Sequence, residues 1–186
     1  MGADRATFQF CGFGGQGIVL SAMVFGAAAV TQAGLEAVQT QSYGSEARGG
    51  ECQAELIISP TPIESPLADR VDVLVARSQP ALVRYVDRVR SGGTVVIDPD
   101  LVSPPERDDV QVVEVRANKV ASELGNQIVA NMVTLGFIQE ATGLISAKDL
   151  DEAIRDSVPE RFSELNLRAT GKGRELAREQ GIVIEI

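Results

Sequence analysis

The chain has 186 residues, 44% of them hydrophobic, and 17 basic against 26 acidic side chains give it a formal charge of −9. That length suits one domain, 1–186, with a proper core and is short for two, while the acidic balance sets nucleic acid and anionic membrane aside as partners. Two cysteines, Cys11 and Cys52, and no histidine exclude a four-cysteine cluster or zinc site held by this chain alone, Ser-His-Asp or Cys-His machinery, and the commonest general base.

No run of about 18 apolar residues predicts a membrane span. Met1–Arg5 has neither the basic nor the apolar region of a signal peptide, so a cytoplasmic chain with reduced thiols is expected.

The first predicted element runs from Phe8 to Leu20: a short strand, a tight glycine turn and the start of a helix. Gly12, Gly14 and Gly17 stand at the G-x-G-x-x-G spacing of a dinucleotide fingerprint. Two readings stay open. The turn and the helix N-terminus hold an anion, or the glycines only let strand, turn and helix pack closely. NAD itself is disfavoured. The second strand, Ala37–Thr40, runs into Gln41 and Ser42, and no acid ends it to hold a ribose.

Ile18 to Ala33 is apolar on nearly every side, which predicts a helix buried all round, either in the core or under a partner. Gly34 closes it. After a polar loop, Cys52–Ser59 and Val71–Ala76 read as strands, the latter a continuous apolar run suited to a sheet covered on both faces. Pro80–Arg90 reads as a helix ended by Gly92-Gly93, followed by strands at Thr94–Ile97 and Val110–Val115. A long apolar helix is expected from about Asn126 to Ala141. Ser146 caps another from Ala147 to about Ser157, and Glu160–Glu179 forms an amphipathic one. Strands alternating with helices predict an α/β fold. It would have a mainly parallel, Rossmann-like sheet with helices on both faces, and a helical C-terminal appendage, 147–179, within the same domain.

The loop Ser42–Gly50 sets Tyr43, Glu46 and Arg48 among three glycines, where strand ends of a parallel sheet open into a crevice. It either lines a site or is a hairpin-like turn with an internal Glu46–Arg48 pair. Gly12-Phe13-Gly14-Gly15-Gln16-Gly17, then Gln41-Ser42-Tyr43-Gly44-Ser45-Glu46-Ala47-Arg48-Gly49-Gly50, then Gln79-Pro80-Ala81, Leu124-Gly125-Asn126 and Ala130-Asn131-Met132 occur together in this order. With Leu165-Asn166-Leu167 and Gly171-Lys172-Gly173 near the end, the chain resembles the gamma subunits of 2-oxoacid:ferredoxin oxidoreductases over nearly its whole length. The 39–50 segment is most similar to the 2-oxoglutarate, succinyl-CoA-forming branch.

The resemblance implies a role in a complex that oxidatively decarboxylates a 2-oxoacid with coenzyme A and reduces ferredoxin. Thiamine diphosphate, magnesium and iron–sulfur clusters would then belong to partner subunits, alpha and beta and a delta subunit where one is present. Coenzyme A would be co-substrate, and this chain would bind no cofactor or metal by itself. The expected substrate- or coenzyme-facing or subunit-interface residues are Gly14, Gly15, Gln16, Gly17, Tyr43, Glu46, Arg48, Gly49 and Gly50; no catalytic residue is assigned. Alternatives are the same role with pyruvate or a branched-chain 2-oxoacid, or a free-standing nucleotide-binding regulatory module. Arg77 departs from the resemblance, placing a charge where a neutral residue is expected.

Overall fold

The computed structural model describes residues 5–43 and 50–186. Six strands, Ala6–Phe13 (β1), Glu36–Tyr43 (β2), Glu51–Ser59 (β3), Val71–Ala76 (β4), Val89–Ile97 (β5) and Gln111–Glu114 (β6), form one sheet in the order β2-β3-β1-β4-β5-β6. Strands β1, β4, β5 and β6 are parallel, as expected. Strand β3 runs antiparallel to both β1 and β2, so the sheet is mixed. The reason is chain length: only residues 44–50 separate β2 from β3, too few for the crossover that brings a chain back parallel.

The helices are Ile18–Ala27 (α1), Gln79–Tyr85 (α2), Ala117–Glu123 (α3), Ala130–Thr142 (α4), Ala147–Ser157 (α5) and Glu160–Gln180 (α6). Helix α1 widens into a π-turn over Ala28–Gln32, and beyond Gly34 the Leu35 N–H closes it on the Ala29 carbonyl at 2.9 Å. Ser146 caps α5 in a reciprocal box with Asp149, as the sequence leads one to expect.

Three boundaries differ from expectation. Helix α2 gives way to a 3-10 turn at Val86–Arg88, and β5 starts at Val89. Gly92-Gly93 therefore lie inside a strand, where the register against β4 is irregular. The segment Ala117–Glu123, for which the sequence predicts no element, is helical, its Asn118 N–H held by Asp98 Oδ2 at 2.8 Å. The long apolar helix begins at Ala130, after a 3-10 turn capped by Asn126.

One sheet face carries the larger core. Phe8 and Phe10 of β1 share it with residues of α1, α4 and α5, and the Phe8 and Phe25 rings meet edge-on at 5.3 Å. The other face carries α2, whose Ala81 and Leu82 cover Leu74, Val95 and Ile97. Beneath β1 and β3 that second face is polar: Arg88 pairs with Glu55 at 2.6 Å, and Gln9 bonds Gln53 at 2.7 Å. Helix α4 is buried almost all round by this chain's own elements, chiefly α6, which crosses it at Gly136 and Gly173. Leu150, Ile154, Ala169 and Ala177 join the larger core, so α5 and α6 are built into it. No helix among the described residues is long and apolar enough to cross a membrane.

Candidate functional site

The G-x-G-x-x-G segment is the link between β1 and α1, and it sits where the ends of three strands line up. Cys52 of β3 stands opposite both Gly12 of β1 and Tyr43 of β2. The turn is held from three sides. Gly14 N–H donates to the Gly50 carbonyl at 2.9 Å, tying it to the start of β3. The Gln16 side chain accepts from Phe13 N–H at 2.8 Å and donates to the Arg77 carbonyl at 3.1 Å, tying it to the end of β4. The Asn131 amide of α4 donates to the Gly17 carbonyl at 3.4 Å.

Gly17 is the position where glycine is required. Its φ is 74°, and a Cβ there would lie 2.4 Å from the Asn131 amide nitrogen. The first N–H groups of α1 are left at the turn, since a helix cannot satisfy them internally. The glycines permit this close packing, and no side chain caps the start of α1.

Of the residues expected at the site, the structure brings Gly14, Gly15, Gln16, Gly17, Tyr43 and Gly50 together around this turn. Glu46, Arg48 and Gly49 lie outside the described residues. The loop that carries them joins two antiparallel strands, which corrects the expectation of an opening between parallel ones; its ends still flank the glycine turn.

Two concavities meet at Gly15 and Ile128. The first is an apolar groove of about 470 Å³ with Phe13, Ile18, Tyr43, Ile128, Cys52 and Phe162 in its walls. Tyr43 is 63% and Ile128 68% exposed. Large apolar side chains left open around one concave surface mark a place for a partner or ligand. The second is a polar cavity of about 290 Å³ with Gln16, Arg77, Asn118 and Gln127 in its wall. Arg77 donates to Asn118 Oδ1 at 2.9 Å and to Thr134 Oγ1 at 3.4 Å. Burial pushes its guanidinium pKa down, and the charge of Asp98 opposes that.

Asn131, which the sequence offers only within the motif Ala130-Asn131-Met132, and Phe162, which it does not mark at all, are further site residues. An asparagine inside an otherwise apolar helix was the available signal for the first. The second sits on an amphipathic helix with nothing to distinguish it.

Cys11 and Cys52 are both free and buried, in the cores on opposite sheet faces. Burial raises both thiol pKa values, away from the thiolate form that metals and nucleophilic chemistry require. Two such thiols cannot share a cluster. Among the described residues no group of three or more His, Cys, Asp or Glu is placed to hold a metal ion. The described residues therefore offer no ligand set for an iron–sulfur centre or a metal.

A mixed sheet covered by helices on both faces, with a glycine turn at its rim beside an apolar groove, defines an α/β protein. Residues 7–176 match the family described as pyruvate ferredoxin/flavodoxin oxidoreductase, and the chain belongs to that family. It is 46% identical over 182 residues to the 2-oxoglutarate synthase subunit KorC of Methanothermobacter thermautotrophicus, covering 94% of this chain and 96% of that one. The KorC subunit of Methanocaldococcus jannaschii is 43% identical over 178 residues, covering 94% and 95%. Among solved structures, the gamma subunit of a keto/oxoacid ferredoxin oxidoreductase from Geobacter sulfurreducens superposes with a TM-score of 0.86 at 35% identity, over 95% of this chain and 98% of that one. The 2-oxoglutarate:ferredoxin oxidoreductase of Magnetococcus marinus, solved with 2-oxoglutarate, coenzyme A and succinyl-CoA bound, also gives 0.86, at 27% identity. This chain covers 32% of that longer one, with 96% of its own length.

Proposed function

We propose that this chain is the gamma subunit of a multisubunit 2-oxoglutarate:ferredoxin oxidoreductase, which converts 2-oxoglutarate and coenzyme A to succinyl-CoA and CO2 and reduces ferredoxin. The observation that carries the reading is the near end-to-end similarity, at 46% and 43% identity, to subunits named for 2-oxoglutarate. A 2-oxoacid of another kind has weaker support. The ketoisovalerate oxidoreductase subunit VorA of Methanothermobacter marburgensis is 31% identical, and the match takes in 36% of its length.

In this reading the chain shapes and closes a site whose chemistry lies elsewhere. Thiamine diphosphate, magnesium and iron–sulfur clusters in partner chains supply decarboxylation and electron transfer. The apolar groove around Phe13, Tyr43, Ile128 and Phe162 takes a face of a partner subunit, alpha or beta. The rigid turn Gly14-Gly15-Gln16-Gly17, locked by Gln16 and Asn131, presents donors at the rim of that interface, toward coenzyme A or the acid. Tyr43 and Gly50 flank the turn, and Glu46, Arg48 and Gly49, which lie between them in sequence, are our further candidates for contact with the coenzyme or the acid. Arg48 is suited to a carboxylate or phosphate because a guanidinium grips either with two parallel bonds. We place the complex in the cytoplasm, and we take residues 1–186 as one folding unit.

Isolation of the complex from its native source tests the reading. The account expects this chain to co-purify in fixed ratio with a thiamine-binding subunit and an iron–sulfur subunit. A monomeric chain that binds a nucleotide tightly and brings down neither would support the free-standing module instead.

A further inference from the structure

The polar cavity next to the glycine turn poses a problem of charge. Arg77 follows the last residue of β4 and is only 7% exposed. A buried cation is costly unless it is paired. Yet among the described residues Arg77 forms no salt bridge; its partners are the neutral Asn118 and Thr134, and its Nε has no hydrogen-bond partner at all. The charge of Asp98 acts on it, against the effect of burial. Each Asp98 carboxylate oxygen accepts a backbone N–H, of Asp100 at 3.1 Å and Asn118 at 2.8 Å, and neither bonds Arg77. The same side chain lies in the wall of a cavity of about 290 Å³, beside Gly15, Gln16 and Gln127. The cavity reaches the glycine turn at Gly15 and Gln16, just ahead of α1.

We propose that this cavity is a binding site for a small oxyanion, a phosphate or carboxylate group, with Arg77 as its charged anchor. An oxyanion there gives the buried guanidinium, which forms part of the cavity wall, a counter-charge. The amides of Gln127 and Asn118 are the neutral donors of the same wall, and the floor is the turn that Gln16 fixes to the Arg77 carbonyl. The volume admits one such group with some of its carrier and leaves the apolar groove to a different occupant. The inference shares the glycine turn with the proposed function but does not rest on it, because it concerns Arg77 and this cavity whatever the chain assembles with.

Titrations of the purified full-length chain with sodium phosphate and, separately, with sodium succinate, followed by calorimetry at constant ionic strength, test the site. The expected result is saturable binding at one site for at least one of the two, the better ligand telling phosphate from carboxylate. Arg77→Met, which keeps the length and removes the charge, weakens that binding by about tenfold to a hundredfold, the loss of one charge-assisted contact. Should Arg77→Met not fold, Gln127→Leu, at an exposed position of the wall, is expected to weaken binding about tenfold with the melting temperature kept. Binding of neither ion by the wild-type chain overturns the proposal. So does binding that folded Arg77→Met leaves unchanged, or, where only Gln127→Leu can be made, binding that this variant leaves unchanged. Complex formation is a separate readout, so failure here does not count against the subunit reading, nor the reverse.

Discussion

A Cβ built on Gly173 would stand 1.9 Å from the carbonyl oxygen of Val133. The two helices that carry these residues, α6 and α4, therefore meet backbone to backbone, and the reciprocal contact at Gly136 would put a Cβ 2.1 Å from the Thr170 carbonyl. Distances of that kind leave no room for a methyl group. Gly173→Ala gains up to about 1 kcal/mol of helix propensity, but the clash is with backbone on both sides and costs about 1–3 kcal/mol or more. The expected outcome is net destabilisation in urea unfolding followed by circular dichroism. Because α5 and α6 are built into the larger core, the variant should still unfold in one transition. Separate loss of a C-terminal helical signal would show that 147–179 is an independent unit.

The groove gives a prediction about assembly. Ile128 and Phe162 are exposed, at 68% and 40%, so Ile128→Asp and Phe162→Asp remove little from the core of this chain. Both are expected to keep its melting temperature within a few degrees and to prevent its incorporation into the complex, read by size-exclusion chromatography with the partner subunits. Normal incorporation of both variants would place the interface elsewhere.

Arg48 offers the sharpest test of the rim. In Arg48→Lys the charge remains and the two-bond grip is lost. With assembly verified first, the apparent affinity for coenzyme A or for the 2-oxoacid should fall by one to two orders of magnitude, about 1.5–3 kcal/mol. Unchanged kinetics would remove Arg48 from the site, and failed assembly would make it a structural residue of the loop.

A pH effect follows from Arg107, which grips Asp109 through two bonds, at 2.8 and 2.6 Å, and also holds the Val86 and Val89 carbonyls at the start of β5. The guanidinium, with Ser91 helping, holds the Asp109 carboxyl well below the usual carboxylate range. A carboxyl depressed in the folded state stabilises the fold above its unfolded value of 3.8 and loses that contribution as the pH falls below it. Asp109→Asn should therefore flatten the acid limb of a stability-versus-pH curve, by a small amount because the pair is exposed and screened. An acid limb as steep as wild type would contradict the assignment.

Much of this was legible in the residues, and the gaps have physical causes. Val71–Ala76 and Thr94–Ile97 announce buried parallel strands by being apolar throughout. Cys52–Ser59 carries a similar apolar end, yet β3 is antiparallel, because an apolar run records burial and not direction. The short connection of residues 44–50 was the clue to direction. Ala117–Glu123 went unread as a helix because it is short and half polar, and its start depends on Asp98, about twenty residues earlier. At the site, the glycine turn was plain from spacing. What holds it was not: Gln16 reaches Arg77, and Asn131 reaches Gly17, across 61 and 114 residues of chain, and no local pattern encodes such contacts. Arg77 stood out in the sequence as a charge out of place, and the cavity beside it gives that charge a use.

The most direct measurement is activity of the reconstituted complex with and without this chain. With all subunits present, the account predicts coenzyme A-dependent reduction of ferredoxin by 2-oxoglutarate, faster than by pyruvate or a branched-chain 2-oxoacid. It predicts loss of that activity when this chain is left out, and none from the chain alone. Equal activity without the chain, or a clear preference for another 2-oxoacid, would contradict it.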